Sequence, residues 1–441
     1  MTFRSVHLGA WVCLAATVGC SGNNFLTRLT VAPSPHEQYA DALRAAPLAG
    51  TAMAQDWLRA ADRALAQPLA VTLPLRESAY FPAGQPTATA YRFELQRGRR
   101  LEVQVTFDSV ETAQLFVDLF EEDGAAPPER VASLAEGGTL TYDVRRDGSY
   151  LLRVQPELLR SGRYDIIQRT VASLIFPVSG LTARAVQSEF GAARDAGRRE
   201  HEGIDIFAPR NTPVVAVVGG TAAPGTNDLG GNVVWLRDRR TSRAFYYAHL
   251  TRWAFEDTTA VQAGDVVGYV GNTGNARRTA PHLHFGIYER GAIDPLPFLR
   301  ADDAVPAPNS SGAGALGELV RTTRARTPLA PGIRRSSPAG TRLERGSVAR
   351  VLGLSGTRLR VMLPDHSTGY LDESAVTVAR AALGQQRLDA GAVVRDQPLV
   401  HAPILHMVEQ PVTVAVLGQF GGFDLIRLES GSLGWVEQTR R

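Results

Sequence analysis

The sequence predicts a mainly β, multidomain protein. Three observations carry this expectation: apolar residues alternate with period two through 71–172, glycine and β-branched residues surround 201–206, and the C-terminal region repeats itself internally. At roughly 100–200 residues per domain, 441 residues suggest two to four domains, each with its own core. All 47 basic residues are Arg, and the formal net charge is only +3. So small a charge on so long a chain gives no electrostatic footprint for nucleic acid, and no nucleic-acid partner is expected.

The first element is residues 1–19. Arg4 supplies a positive start, and Leu8 to Val18 is an apolar run too short to cross a bilayer. The only cysteines, Cys13 and Cys20, lie in the first twenty residues, so the body holds neither a disulfide framework nor a Cys-based metal site. Thr17-Val18-Gly19-Cys20-Ser21 resembles the lipobox of bacterial lipoproteins, with Thr17 where Leu is usual. The resemblance implies cleavage before Cys20, an outer-membrane lipid anchor on that residue, and an exported chain on the periplasmic side of the outer membrane. An ordinary cleaved signal peptide is the other reading, and it too places the chain outside the cytoplasm.

Residues 20–70 follow as a leader with a helical stretch from Glu37 to Ala66. Leu43, Ala46, Trp57, Ala61 and Leu65 share one face, interrupted by Pro47 and Gly50. From 71 to 172 the period changes. Tyr91-Arg-Phe93-Glu-Leu95, Leu101-Glu-Val103-Gln-Val105 and Leu115-Phe-Val117-Asp-Leu119 read as strands of an N-terminal β-sandwich. Strand order and two Gly-x-Tyr entries resemble the pre-peptidase type of sandwich found beside secreted peptidases.

Beyond 173–300, residues 301–318 are rich in Ala, Pro, Ser and Gly and read as a linker. Units 319–380 and 381–441 then repeat: Val351-Leu-Gly353 returns as Val416-Leu-Gly418, Leu363 as Leu428, and Gly369-Tyr-Leu371 as Gly434-Trp-Val436, all at one offset. They resemble two small SH3-like barrels of the bacterial kind. Wall binding and packing against the rest of the chain both remain open for them.

The chemistry lies in 173–300. Four of nine histidines, His201, His249, His282 and His284, fall there. His7, His36, His366, His401 and His406 are scattered and read as surface or satisfied side chains. His201-Glu-Gly-Ile-Asp205 has Asp where a helical zincin motif needs a second His, and its glycine and Ile204 favour strand or turn. On a strand, residues four apart share a face, as do His282 and His284 two apart. Imidazole and carboxylate suit zinc, and three protein ligands leave a fourth position open, as in catalytic sites.

Here the segment resembles the lysostaphin-type, or LytM-like, zinc endopeptidases. His201-x-x-x-Asp205, Tyr247-Ala-His249-Leu250 and His282-Leu-His284-Phe285 stand in family order, with Gly231-Asn-Val-Val, Gly264-Asp-Val-Val-Gly and Gly271-Asn-Thr-Gly between them. The resemblance implies a central antiparallel β peptidase domain with a groove across it, and one Zn2+ per chain held by His201, Asp205 and His284. It implies His282 as general base, and His249 as the residue that orients water or stabilises the oxyanion. The implied substrate is the stem peptides of peptidoglycan, with D-alanyl–diaminopimelate bonds the leading expectation. Gly286 stands where the family commonly has Glu. The alternative is a non-catalytic wall-binding regulator of another hydrolase, but such members typically lose ligands that this chain keeps. Enzymes able to breach a wall are commonly restrained, so latency of the full-length chain is a further expectation.

Overall fold

The computed structural model describes residues 32–438 except 83, 110, 135–137, 195–196, 301–304 and 334–339. Residues 1–19, expected to be a signal segment, and Cys20 therefore lie outside the described residues. The chain is mainly β and folds into several sheets.

The leader forms helices Pro35–Ala45 and Ala52–Ala66, broken by a short 3-10 turn at Pro47–Gly50. Ser34 and Glu37 close a capping box on the first helix, and Thr51 caps the second. Leu43, Trp57 and Ala61 are buried as their spacing predicts, and Ala64 is buried where Leu65 was expected.

Two sheets form the sandwich. One carries strands Thr89–Leu95, Gly148–Pro156, Leu115–Glu121 and Glu129–Ser133; the other carries Leu75–Phe81, Gly162–Ala172, Arg99–Ser109 and Thr139–Asp143. Alternate residues such as Tyr91, Phe93, Leu101, Val103, Tyr164 and Ile166 fill the core between them. Strand Leu115–Glu121 departs from alternation because both its faces are covered. Val117 and Leu119 face the sandwich core, while Phe116 packs with Trp57, Ala40 and Leu43 of the helices.

The central domain has its own core, drawn wholly from residues between Leu174 and Leu299. Its main sheet is antiparallel. Strand Ile204–Phe207 pairs with His282–Tyr288, which pairs with Ala244–Leu250, which pairs with Gly231–Asp238. The domain leans on the sandwich through Phe298. That ring lies so close to the turn at Gly98 that a Cβ there would overlap it, and Arg97 pairs with Glu289 beside it.

The C-terminal repeat is visible in the register. Val351 pairs with Val361 and Val416 with Ile426, and each pairing shifts at the same place, before Gly353 and before Gly418. The first unit is not separate from the sandwich: strand Val348–Ser355 pairs with Leu75–Phe81, giving one nine-stranded sheet. The second unit forms a six-stranded sheet of its own. Within the expected linker, residues 305–318 depart from a free chain. Asn309 donates to the Ser78 hydroxyl and accepts from the Gly356 amide, Ser310 donates to Glu373, and Leu316 is buried. Its composition builds no core, but the neighbouring strands provide partners for its polar groups.

Candidate metal centre

Strand pairing brings the predicted ligands together. Asp205 lies opposite His284 in the register between Ile204–Phe207 and His282–Tyr288. His201 enters from the turn before the first strand, held by its amide to the Ala192 carbonyl and by the Gly191 amide to its own carbonyl. His201 Nε2 lies 3.0 Å from Asp205 Oδ1 and 2.9 Å from His284 Nδ1. Asp205 Oδ1 to His284 Nδ1 is 3.1 Å. Bonds of about 2.0–2.2 Å to tetrahedral zinc place ligand atoms roughly 3.3 Å apart. Two imidazole nitrogens and one carboxylate oxygen at these spacings fit the ion to within a few tenths of an ångström. Among the described residues this is the one cluster of its kind.

Gly203 makes the close approach possible, because a Cβ there would meet the Phe285 carbonyl and the His284 ring. His201 Nδ1 lies 2.9 Å from the Glu189 carbonyl, so with Nε2 turned to the cluster it donates to that oxygen. Burial works against the Asp205 carboxylate, but hydrogen bonds and charge from His201 and His284 outweigh it and hold its pKa far below the usual range. Burial lowers the pKa of His284, which keeps its nitrogen available as a ligand.

His282 and His249 flank the cluster. His282 Nδ1 is 2.9 Å from the Ala280 carbonyl, and its Nε2 lies 4.0 Å from Asp205 Oδ1. His249 Nδ1 is 2.9 Å from the Thr273 carbonyl. A carbonyl only accepts, so each ring carries its hydrogen on Nδ1 and turns a bare Nε2 inward. Burial, followed by the neighbouring His282, lowers the pKa of His249 to about 4.

The backbone at His249 is unusual. Tyr246 and Ala248 line the groove while Tyr247 is buried in the core. Plain alternation would send His249 to the core with Tyr247. Its φ of 62° breaks the alternation and returns the ring to the groove. The family-like stretches found in the sequence hold this turn: Thr273 Oγ1 accepts from the Asn232 amide and donates to Leu250, and the Thr273 carbonyl anchors the ring.

The cluster opens on a groove of about 1220 Å³ whose lining residues all lie between Gln187 and Ala292. Asn275, Ala276 and Thr279 line one part of it, from the loop before His282. One wall holds residues that sequence reasoning missed: Trp235, Tyr246 and Tyr288, packed ring to ring. Gly286 lies among them, and a Cβ there would come within 2.9 Å of the Tyr288 ring, so Tyr288 fills the space a larger residue would need. Arg194 and Ser188, also missed, touch His201, and Arg194 also touches Asp205. Nothing in their spacing marks them, because the chain folds back to bring them in.

Residues 199–295 match peptidase family M23. The chain is 37% identical over 140 residues to the L-Ala–D-Glu endopeptidase of Bacillus subtilis, a match covering 29% of this chain and 43% of that protein. It is 35% identical over 116 residues to the DD-carboxypeptidase/endopeptidase Mpg of Neisseria meningitidis, covering 26% and 25%. The chain thus spans less than half the length of either relative. Against the solved catalytic domain of lysostaphin from Staphylococcus simulans, identity is 32%, with 25% of this chain and 87% of that one covered and a TM-score of 0.23. The segment that matches peptidase family M23 is thus the one that carries His201, Asp205 and His284.

Proposed function

We propose that this chain is a zinc-dependent endopeptidase that hydrolyses peptide cross-links of bacterial peptidoglycan, with the D-alanyl–diaminopimelate bond as its target. One observation carries the reading: a His–Asp–His donor triangle and two histidines with bare Nε2 atoms line the same open groove. Similarity to an L-Ala–D-Glu endopeptidase and to a DD-carboxypeptidase/endopeptidase supports a substrate built with D-amino acids.

His201 Nε2, Asp205 Oδ1 and His284 Nδ1 would hold the zinc. When bound, zinc supplies polarisation of the scissile carbonyl and lowers the pKa of water towards ~7. His282 Nε2 takes the proton of the attacking water, whose oxygen bonds to the carbonyl carbon. As the C–N bond breaks, the same nitrogen returns the proton to the leaving amine. His249 serves as the acceptor that aims the water. It stays neutral well below pH 7 and keeps its only ring hydrogen on Thr273, so it has no donor for an oxyanion. In the same reading the chain is exported and anchored through Cys20 at the periplasmic face of the outer membrane, and units 319–380 and 381–441 are SH3-like domains that either bind wall or pack against the rest of the chain.

Digestion of purified sacculi by the zinc-loaded mature protein tests the proposal, with products identified by mass spectrometry. Uncross-linked muropeptides that disappear on chelation are expected. Intact sacculi despite one bound zinc per chain would overturn the assigned substrate.

A further inference from the structure

The two oxygens of the Asp205 carboxylate have different surroundings. Oδ1 belongs to the ligand triangle, near His201 Nε2 and His284 Nδ1. Oδ2 turns away and accepts a hydrogen bond of 2.6 Å from Arg194 Nη2. The same Nη2 donates to Ser188 Oγ at 2.7 Å and lies 3.0 Å from His201 Nδ1. Since His201 Nδ1 gives its hydrogen to Glu189, the guanidinium rests against that ring and directs its bonds to Ser188 and Asp205.

The backbone fixes this placement twice. Ser188 pairs directly with Asp205 between strands Val186–Ser188 and Ile204–Phe207. Arg194 ends a two-residue strand that pairs with Arg199–Glu200, the residues just before His201. Arg194 therefore reaches the far oxygen of one ligand from a segment hydrogen-bonded to another. The Asp205 side chain is 12% exposed and that of Arg194 34%, so the pair is sheltered on the carboxylate side.

We infer that Arg194 is a positioning residue of the metal centre, resting on the zinc reading above: it holds Asp205 Oδ2 so that the carboxylate offers one oxygen to the ion. A carboxylate with both oxygens free can turn and bind through both, which raises the coordination number and crowds the open position. A charge-assisted bond to Oδ2 removes that freedom, and the planar guanidinium sets the direction of the bond. Outer partners of this kind typically change metal affinity or activity by about 10–100-fold when lost.

The test uses the full mature protein as wild type, Arg194→Ala and Arg194→Lys. Zinc affinity is measured by competition with a chromophoric chelator, thermal unfolding is followed on the zinc-free proteins, and visible absorption on the cobalt-loaded ones. Arg194→Ala is expected to bind zinc about 10–100-fold more weakly with its zinc-free unfolding unchanged. Its cobalt bands are expected to weaken, because four-coordinate cobalt absorbs more strongly than five-coordinate cobalt. Arg194→Lys, which keeps the charge without the planar fork, is expected to fall between. Equal or tighter zinc binding in Arg194→Ala overturns the inference, as does an unchanged cobalt spectrum. A wild type that binds no zinc overturns the metal centre itself, and with it the inference.

Discussion

At the scale of single residues, the proposed mechanism divides ligand and base duties between neighbours on one strand. His284 turns Nδ1 to the donor triangle, whereas His282 keeps Nδ1 on the Ala280 carbonyl and leaves Nε2 bare. His284→Ala is therefore expected to lose zinc and turnover together. His282→Ala is expected to retain zinc and lose turnover by roughly 10²–10⁴-fold, the usual worth of a positioned acid–base group. Metal content and rate measured on the same preparations check both statements, and a zinc-free His282→Ala protein would contradict the division. His249 shows why its own role needed coordinates. Its residue type is legible in Tyr247-Ala-His249, but the φ of 62° that swings it out of the core is not.

Among the elements, the leader helices bury an unusual group. His36 stacks on Trp57 with centroids 4.8 Å apart, meets Phe116 edge-on, and has Nε2 2.7 Å from Gln155 Oε1. Burial, and then the charge of Arg153, lowers its pKa to about 4 from 6.5, against the opposing pull of Asp118 and Glu37. The unfolded chain takes up this proton near pH 6.5 and the folded chain only near 4, so between these values the unfolded state binds more protons. Stability from this residue is thus complete above pH 6.5 and is lost as pH falls towards 4. Between pH 7 and 5 the loss is about 2 kcal/mol. Urea unfolding at both pH values should show that difference, and His36→Gln should remove it. An equal pH dependence in the variant would contradict the assignment. The same helices explain a limit of pattern reading: alternation predicts which face of Leu115–Glu121 enters the sandwich, but not that helices cover the other face.

Across the whole molecule, the sandwich and the first C-terminal unit are joined by more than strand pairing. Arg360 donates from Nε to Glu77 Oε1 at 2.7 Å, and Tyr91 donates to the other oxygen of that carboxylate and meets Tyr164. Glu77 and Arg360 are 2% and 6% exposed. Removing one partner of a buried pair leaves the other charge uncompensated, so Arg360→Ala is expected to cost about 3–5 kcal/mol, measured by chemical denaturation. The peptidase domain is different. Its core comes entirely from 174–299, and among the described residues no other segment lines its groove. Latency through a covering domain therefore finds no support, and an isolated 173–300 protein is expected to fold and to match the full chain's rate on sacculi. A markedly faster fragment would restore the case for restraint.

Local chemistry determined much of this protein in advance. Period-two alternation announced the sandwich, one constant offset announced the repeat, and ligand-type residues at strand spacings announced the cluster of His201, Asp205 and His284, because each signal depends only on near neighbours along the chain. What required the tertiary structure depends on contacts distant in sequence. Residues 353–354 pair with 78–79 to merge two units into one sheet, and Trp235, Tyr246 and Tyr288 meet in one wall. Arg194 reaches Asp205 only because an intervening hairpin folds back. Such encounters are set by the packing of strands against one another, and no spacing between residues along the chain records them.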